Sequence, residues 1–495
     1  MSLVLYNTLK RAKEPLEPVV PGKVGMYMCG PTVYSDPHLG HARGPIVFDV
    51  IRRWLEHEGY QVRLVTNITD VGHLTEDDAG EDKLLKRAKL ERIEPMEVAE
   101  KYFWSYFDAM SSLNIRRPSI VPRASGHIGE QIELVEELLA AGVAYQRDGN
   151  VYFDVSAWDD YGKLSGRDTK EQIEGTRIEV REDKDDQRDF ALWKRAEAGH
   201  IMRWNSPWGS GFPGWHLECT VMSTKYLGDE FDIHGGGLDL VFPHHECELA
   251  QANASGRRFA RSWIHWNMIT LGGEKMAKSK NHFVTLEELF KVHDPLAVRF
   301  HLLGTHYRSV SDFSDESLHA SAQGLRRLRE TYAAIKERLD TLGAGDAAGS
   351  ASAKPLVTSD DSGFSVIRAD FAAAMNDDLN TPRALAALFD ASREVRKAIE
   401  DGSSAAYLTG AVALFDDLLA GVLGVPLQPH DVAETTTEAL GKLVELLLEQ
   451  RQQARLRRDF AAADELRSKL EAIGVSVEDG ADSSRWRFEK SLETN

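Results

Sequence analysis

The chain carries 78 acidic against 59 basic side chains in 495 residues, a formal net charge of −19. That balance excludes indiscriminate nucleic-acid binding, which needs a broad basic surface, but leaves room for a local basic patch. Its three cysteines, Cys29, Cys219 and Cys247, are too few for a disulfide framework, and no run of about 18 apolar residues predicts a membrane span.

The opening "MSLVLYNTLKRAK" runs from apolar to basic, the reverse of a secretory signal, so a cytoplasmic protein of about three domains is expected. "KVGMYMC" (23–29) alternates as a strand. In the next stretch Ile46, Val50, Ile51, Trp54 and Leu55 fall at helical spacing, with Gly59 as a stop. "YQVRLVTNITDV" (60–71) reads as a second buried strand. Strand, helix, strand is a right-handed parallel unit. The predicted fold is therefore α/β, a doubly wound parallel sheet of Rossmann type, which takes ligands at its carboxyl strand ends. Residues 119–210 change texture and read as a charged, loop-rich insertion with one strand in "NVYFDVSAW" (150–158). "DEFDIHGGGLDLVFPHHECELAQANA" (229–254) predicts a short strand, a glycine turn and a helix, and "SWIHWNMITLGGEKMAKSKN" (262–281) a strand and a glycine-tipped loop. Thr285 with Glu288 forms a capping box.

Beyond about 310 the pattern is that of an α-helical bundle. Residues 342–363 are small and polar, a flexible segment. A helix over 380–399 opens on a Thr381 cap with Pro382 at its first position, and Leu385, Leu388, Ser392, Val395 and Ile399 share one face. Residues 431–495 read as a small α+β unit. In its second helix Phe460, Ala463, Leu466, Leu470 and Ile473 line up, with Gly474 as C-cap. The expected division is 1–310, 311–430 and 431–495.

Two motifs carry chemistry. In "HLGH", His38 and His41 open a helix, where free N–H groups and the macrodipole favour anions; alone, the pair reads equally as surface histidines or caps. In "KMAKS", Lys275 and Lys278 stand three apart on a loop and could clamp a polyphosphate; alone, that loop is a solvated basic segment. Together, after an early and a late strand of one sheet, they resemble the two signatures of class I aminoacyl-tRNA synthetases. "NITD", "DFALWK", "SPWG", "GWHLECT", "HGGGLDLVFPHHE", "MNDDLNTPRAL" and "DFAAADELRSKLEAIGVSVEDG" resemble stretches of the cysteinyl-tRNA synthetase family in the same order, over nearly the whole chain.

That resemblance implies an ATP-dependent ligase that makes cysteinyl-adenylate and pyrophosphate from L-cysteine, then passes the cysteinyl group to the 3′ end of tRNA(Cys). It implies catalytic roles for His38, His41, Lys275 and Lys278, and ATP contacts from His38, His41, His234, Gly235, Gly236 and Lys278. Gly30, Thr69, Trp215 and Asp239 would surround the cysteine. One Zn2+ would be held by Cys29, Cys219, His244 and Glu248, and Mg2+ would accompany ATP. The donor set is chemically coherent, and His244 and Glu248, four apart on a predicted helix, share a face. By spacing alone Cys247, three residues from His244, stays open as another donor. The metal would select the substrate thiolate rather than hydrolyse anything, so no editing domain is required.

The anticodon end would be residues 431–495, where Arg451, Arg455 and Arg458 fall on one helical face and Trp486 offers a stacking surface. A monomer without membrane attachment is expected. Three positions depart from the family pattern: Ala277 replaces a usual serine, Leu39 a usual isoleucine and Phe212 a usual arginine. A rival reading is a cysteine:amino-sugar ligase using the same adenylate; another is a non-catalytic zinc and RNA-binding relative.

Overall fold

The computed structural model describes residues 2–71, 82–167, 184–197, 200–272, 274–275, 284–343, 363–428, 444–455, 457, 459–472, 475–479 and 484–488. The chain divides into two compact units, Met1–Leu427 and Gln428–Asn495.

The first unit opens with a hairpin, β1 (Val4–Asn7) and β2 (Ala12–Pro15). Then β3 (Lys23–Met28) leads into α1 (Leu39–His57) and β4 (Gln61–Thr66), as the periodicity predicts. Next come α2 (Lys83–Glu91) and α3 (Pro95–Ser112). The insertion begins with α4 (Ile128–Ala140) and is richer in strands than its sequence suggests. Here β5 (Ala144–Arg147), β6 (Asn150–Phe153), β7 (Phe190–Arg195), β8 (Trp204–Ser206) and β9 (Gly209–Pro213) form an antiparallel sheet of order β5-β6-β7-β9-β8. These strands are three to six residues long, too short to show a clear alternation against charged neighbours.

The chain returns to the first sheet through α5 (Trp215–Leu227), β10 (Glu230–Gly237), α6 (Glu246–Ala254) and β11 (Phe259–Trp266). The order β11-β10-β3-β4 is parallel throughout. Alternate side chains cover its two faces. Met26, Met28 and Ile264 pack with the α1 layer, whereas Tyr27, Val65 and Trp263 pack with Cys219, Met222 and Leu249 of α5 and α6. This is the doubly wound arrangement, with apolar residues on both faces of each central strand. The glycines at 235–237 do not form the expected turn. They are the last residues of β10, paired with Ile264, His265 and Trp266 of β11.

β12 (Ile269–Leu271), β13 (Glu274–Lys275) and β14 (Ser311–Phe313) make a small side sheet, with α7 (Leu286–Phe290) and α8 (Pro295–Leu303) between the last two. Thr285 caps α7 through the expected box with Glu288. The bundle is α9 (Asp315–Thr341), α10 (Ser365–Asn376), α11 (Thr381–Glu400) and α12 (Ala405–Phe415). The cap of α11 is Asn380, not Thr381: the Asn380 side chain accepts from Arg383 N–H, while Thr381 donates its hydroxyl to Leu303 C=O. One window, Ala405–Val422, is apolar and long enough to span a membrane, with mean hydropathy 1.4. Its Leu408, Leu414, Phe415 and Leu419 are buried in the bundle core, and Asp416 accepts from Tyr332.

The second unit contains helical residues 444–455, α13 (Phe460–Ala472) and an antiparallel pair, β15 (Val475–Asp479) and β16 (Ser484–Phe488). Ala463 and Leu470 are buried as the periodicity predicts, but Phe460, at the first turn, is 61% exposed. Ile473, Gly474, Arg458 and most of 342–363 lie outside the described residues.

One buried charge cluster ties the sheet to the bundle. Asp49 of α1 accepts from Arg53 Nε (2.7 Å), from Arg299 Nη2 of α8 (2.6 Å) and from the Arg116 N–H (3.1 Å). Arg299 also donates to Leu423 and Leu113 C=O, and Arg53 to Gly421 and Asn114 C=O. Burial raises the Asp49 carboxyl, and the two guanidiniums outweigh it, so the group lies below its ordinary range. Asp49→Ala leaves two buried cations without a counter-charge and is expected to cost about 3–5 kcal/mol. The midpoint of urea unfolding, followed by circular dichroism, measures it.

Candidate functional site

Cys29 follows β3, and its N–H donates to Gly235 C=O at the end of β10 (3.0 Å). Cys219 sits in the second turn of α5, and His244 in the short helical turn Val241–His245 that leads into α6, which carries Glu248. The packing of α5 on α6 brings the four together. Cys29 Sγ lies 3.6 Å from Cys219 Sγ and 3.7 Å from Glu248 Oε1, and His244 Nε2 lies 3.0 Å from the same carboxylate oxygen. All four donor atoms fall within 4.8 Å of one another.

A ring of aromatic groups orients them. His216 Nδ1 stands 3.0 Å from His244 Nδ1, which leaves His244 Nε2 directed at the cluster, and Trp215 stacks on His244 with centroids 4.1 Å apart. His234 Nε2 binds the other Glu248 oxygen at 2.6 Å and stacks on Trp263 at 4.5 Å. Partners of this kind fix ligand tautomer and direction. A second set of four donors, Cys29, His234, His245 and Glu248, also converges. It differs in exposure: Cys29, Cys219 and His244 line the adjoining cleft, and His234 and His245 are fully buried behind them. Three donors of the first set therefore line the cleft, against Cys29 alone of the second. Cys247, left open by spacing, faces Tyr161 (O to Sγ 3.4 Å) on the other side of α6 and belongs to neither set.

The electrostatics fit a cation. Burial, the Cys219 thiol and the Glu248 carboxyl push the Cys29 thiol well up; burial likewise raises Cys219 and Glu248. Burial and the neighbouring imidazoles push His245 well down. Three acids crowded together in a buried corner form a donor set that could take up a metal ion.

The cleft in front of this cluster has a volume of about 560 Å³. Its other end is formed by the first turn of α1. The His38 N–H donates to His41 Nδ1 (3.1 Å), and the two rings stack with centroids 3.8 Å apart. With Nδ1 accepting, the neutral His41 ring keeps its proton on Nε2 and is a donor there. The chain after "KMAKS" comes back to this corner: Leu286 N–H donates to Pro37 C=O (2.9 Å), and Thr285 bridges to His38. Lys275 lies in β13, and Lys278 and Ala277 fall outside the described residues. Gly44 lets α1 press onto β11, since a Cβ there would enter the Trp266 ring. Arg43, missed in the sequence, is buried with its guanidinium on Met268, His306 and Ser309 C=O; burial lowers it to about 10.

One wall of the cleft is a directed hydrogen-bond train. Gly30 N–H donates to Asn67 Oδ1 (2.8 Å), which turns Asn67 Nδ2 toward Thr69 Oγ1 (3.3 Å). The Thr69 hydroxyl donates to Glu218 Oε2 (2.8 Å). Gly30 is obligatory, because a Cβ would collide with Asn67 C=O. Glu218 is fully buried, and burial with the nearby Cys219 raises it well above the ordinary range. Trp215 and Asp239 line the same cleft. The His234 ring, expected beside the nucleotide, is fully buried and bonded to Glu248; the Cβ positions of Gly235 and Gly236 are filled by Ile264 C=O with Phe48 and by the His245 ring. Phe212 is buried against His200. In the second unit Arg455 is exposed, whereas Arg451 is 4% exposed and does not share its open face. Trp486 lies in β16. His216 and Glu218 were legible only as neighbours of "GWHLEC"; no signal in the sequence sets them apart.

The chain matches the family described as tRNA synthetases class I (C) catalytic domain over residues 15–323, the DALR domain over 370–428 and the cysteinyl-tRNA ligase anticodon binding domain over 437–487. It is 55% identical to cysteine–tRNA ligase of Thermus thermophilus over 494 residues, 99% of this chain and 100% of that protein. It is 52% identical to cysteine–tRNA ligase of Deinococcus radiodurans, covering 98% of this chain and 97% of that protein. Among solved structures it is similar in fold to Mycobacterium tuberculosis methionyl-tRNA synthetase in complex with methionyl-adenylate, with TM-score 0.57 and 17% identity over 89% of this chain and 96% of that one.

Replacement of Cys219 by serine is expected to abolish stoichiometric metal in the purified protein, read by elemental analysis, while the far-ultraviolet circular dichroism stays native. Cys247→Ser is expected to retain the metal.

Proposed function

The chain belongs to the cysteine–tRNA ligases, a class I aminoacyl-tRNA synthetase family, and from that premise we propose how its cleft performs the reaction. The activity is the ATP-dependent joining of cysteine to tRNA(Cys); the amino-sugar ligase is not favoured, because the relatives match over their full length, including the anticodon-binding part. The single observation that carries the mechanistic reading is that a thiol-rich donor cluster and the stacked His38–His41 pair line one cleft.

In the first step a cysteine carboxylate oxygen attacks the α-phosphorus of ATP, and the bond to the bridging oxygen of pyrophosphate breaks. His38 and His41 at the head of α1 donate to phosphate oxygens, where helix N–H groups also favour negative charge. Lys275 and Lys278 hold the departing pyrophosphate, with Mg2+ carried in on ATP. In the second step a terminal ribose hydroxyl of tRNA attacks the adenylate carbonyl and AMP leaves. The chain supplies position and charge, with no covalent enzyme intermediate.

Cys29, Cys219, His244 and Glu248 would hold a zinc ion, which supplies a thiophilic Lewis acid for the substrate sulfur. The selection problem explains the need. A pocket that measures size alone separates cysteine from serine or alanine by about 1–3 kcal/mol, whereas ten-thousand-fold discrimination takes about 5.5 kcal/mol. Thr69, with its own proton committed to Glu218, is left as an acceptor facing the cleft and suits the substrate ammonium group, with Asp239 supplying a carboxylate. Trp215 closes the floor. The proposed working form is a cytoplasmic monomer.

The purified chain is expected to exchange pyrophosphate into ATP only with cysteine among the amino acids, and to charge tRNA. His41→Asn is expected to slow single-turnover adenylate formation by about 10²-fold, the cost of one lost transition-state donor, with little change in the KM for cysteine. Thr69→Val should raise that KM, and Glu218→Gln should add nothing in the Thr69→Val background if the two act as one unit; a double-mutant cycle reads the coupling.

A further inference from the structure

A second pocket, of about 490 Å³, adjoins the reaction cleft; Leu238, Asp239 and Asn267 line both. We propose that this pocket receives the single-stranded 3′ end of the tRNA, with Arg11 and Arg167 on its phosphates. The proposal rests on the reading of this chain as a tRNA ligase.

The reaction sets the requirement. Cysteine and ATP fill one cleft from its two ends, and a third substrate must bring a ribose hydroxyl to the middle, where the carboxyl and the α-phosphate meet. The wall shared at Leu238, Asp239 and Asn267 joins the second pocket to that cleft. Leu238 is 48% exposed there, an apolar side chain on a polar ridge.

The chemistry of the pocket suits an RNA strand. Arg11 comes from the turn between β1 and β2, and Arg167 from the insertion, so two separate elements place a cation on one opening. Both are exposed, and neither forms an ion pair with a carboxylate among the described residues. In a chain of net charge −19, two uncompensated guanidiniums beside the reaction cleft concentrate positive potential where the rest of the surface is acidic. The third arginine, Arg308, is neutralised by Asp378 (2.7 Å). The Arg11 guanidinium lies against Gly166 of the insertion. Arg167 lies over the Phe242 ring at 4.7 Å, and Arg308 over Tyr6 at 4.4 Å. Planar cations on aromatic faces keep their N–H edges available for phosphodiester oxygens. Half-buried rings beside cations are how proteins hold single-stranded nucleic acid without reading its sequence.

The test uses the full-length chain with Arg11→Ala, Arg167→Ala and the double variant. Cysteine-dependent pyrophosphate exchange is expected to stay within about twofold of the parent, while kcat/KM for tRNA charging falls about tenfold for each substitution. The dependence of log kcat/KM on log salt should become shallower by about 0.7 for each lost contact. Arg167→Lys should recover part of the loss, keeping the charge without the planar fork. Exchange and charging falling in parallel would assign the pocket to ATP or cysteine and overturn the proposal. Unchanged charging in the double variant would do the same. A parent chain that exchanges but never charges tRNA overturns the ligase reading and this proposal with it.

Discussion

Two thiols, a carboxyl and an imidazole packed into a dry corner must either keep their protons or gather around a positive charge. That constraint organises the catalytic half of this molecule. It explains why α5 and α6 pack side by side with Cys219, His244 and Glu248 turned to one point. It explains why the surrounding imidazoles bond to the donors and to each other: each unused lone pair or N–H at this depth needs a partner. It also fixes the chain after β3, where Cys29 holds its place by donating a backbone N–H to β10.

The opposite end of the cleft follows a different logic. There the groups are half-exposed and positive in tendency: a helix start, two stacked imidazoles and the chain that returns from β13 to pair at Thr285. Acidic donors and a helix start with two imidazoles thus line different parts of one cleft and give it a chemical polarity. The buried Asp49–Arg299 node joins α1 to α8 and, through Leu423 C=O, to the chain that follows the last bundle helix.

Much of this was legible in residues 23–71, because strand, helix and strand there each carry an unbroken period and the parallel unit follows from handedness. The capping box at Thr285 was legible for the same local reason. The donor set was not readable from spacing. His244, Cys247 and Glu248 all sit within one turn and a half, and only the tertiary packing turns Cys247 toward Tyr161 and away from the cluster. His234 looked like a loop residue because "HGGG" reads as a turn; pairing with β11 makes it a strand, and the strand aims its ring inward. Arg451 was placed on an open face by helical spacing, yet it is buried. Glu218 and His216 act on neighbours that the fold supplies, so their roles could not be seen before the fold was.

Gly44 has a mechanical meaning. With no side chain to separate them, the helix that starts at His38 lies directly on the indole of Trp266, and Arg43 rivets the same turn to three carbonyls of the facing loops. That jaw of the cleft is an anvil. The span from the stacked imidazoles to the end of β11 is set by direct contact of helix on indole, with no side chain at Gly44 between them.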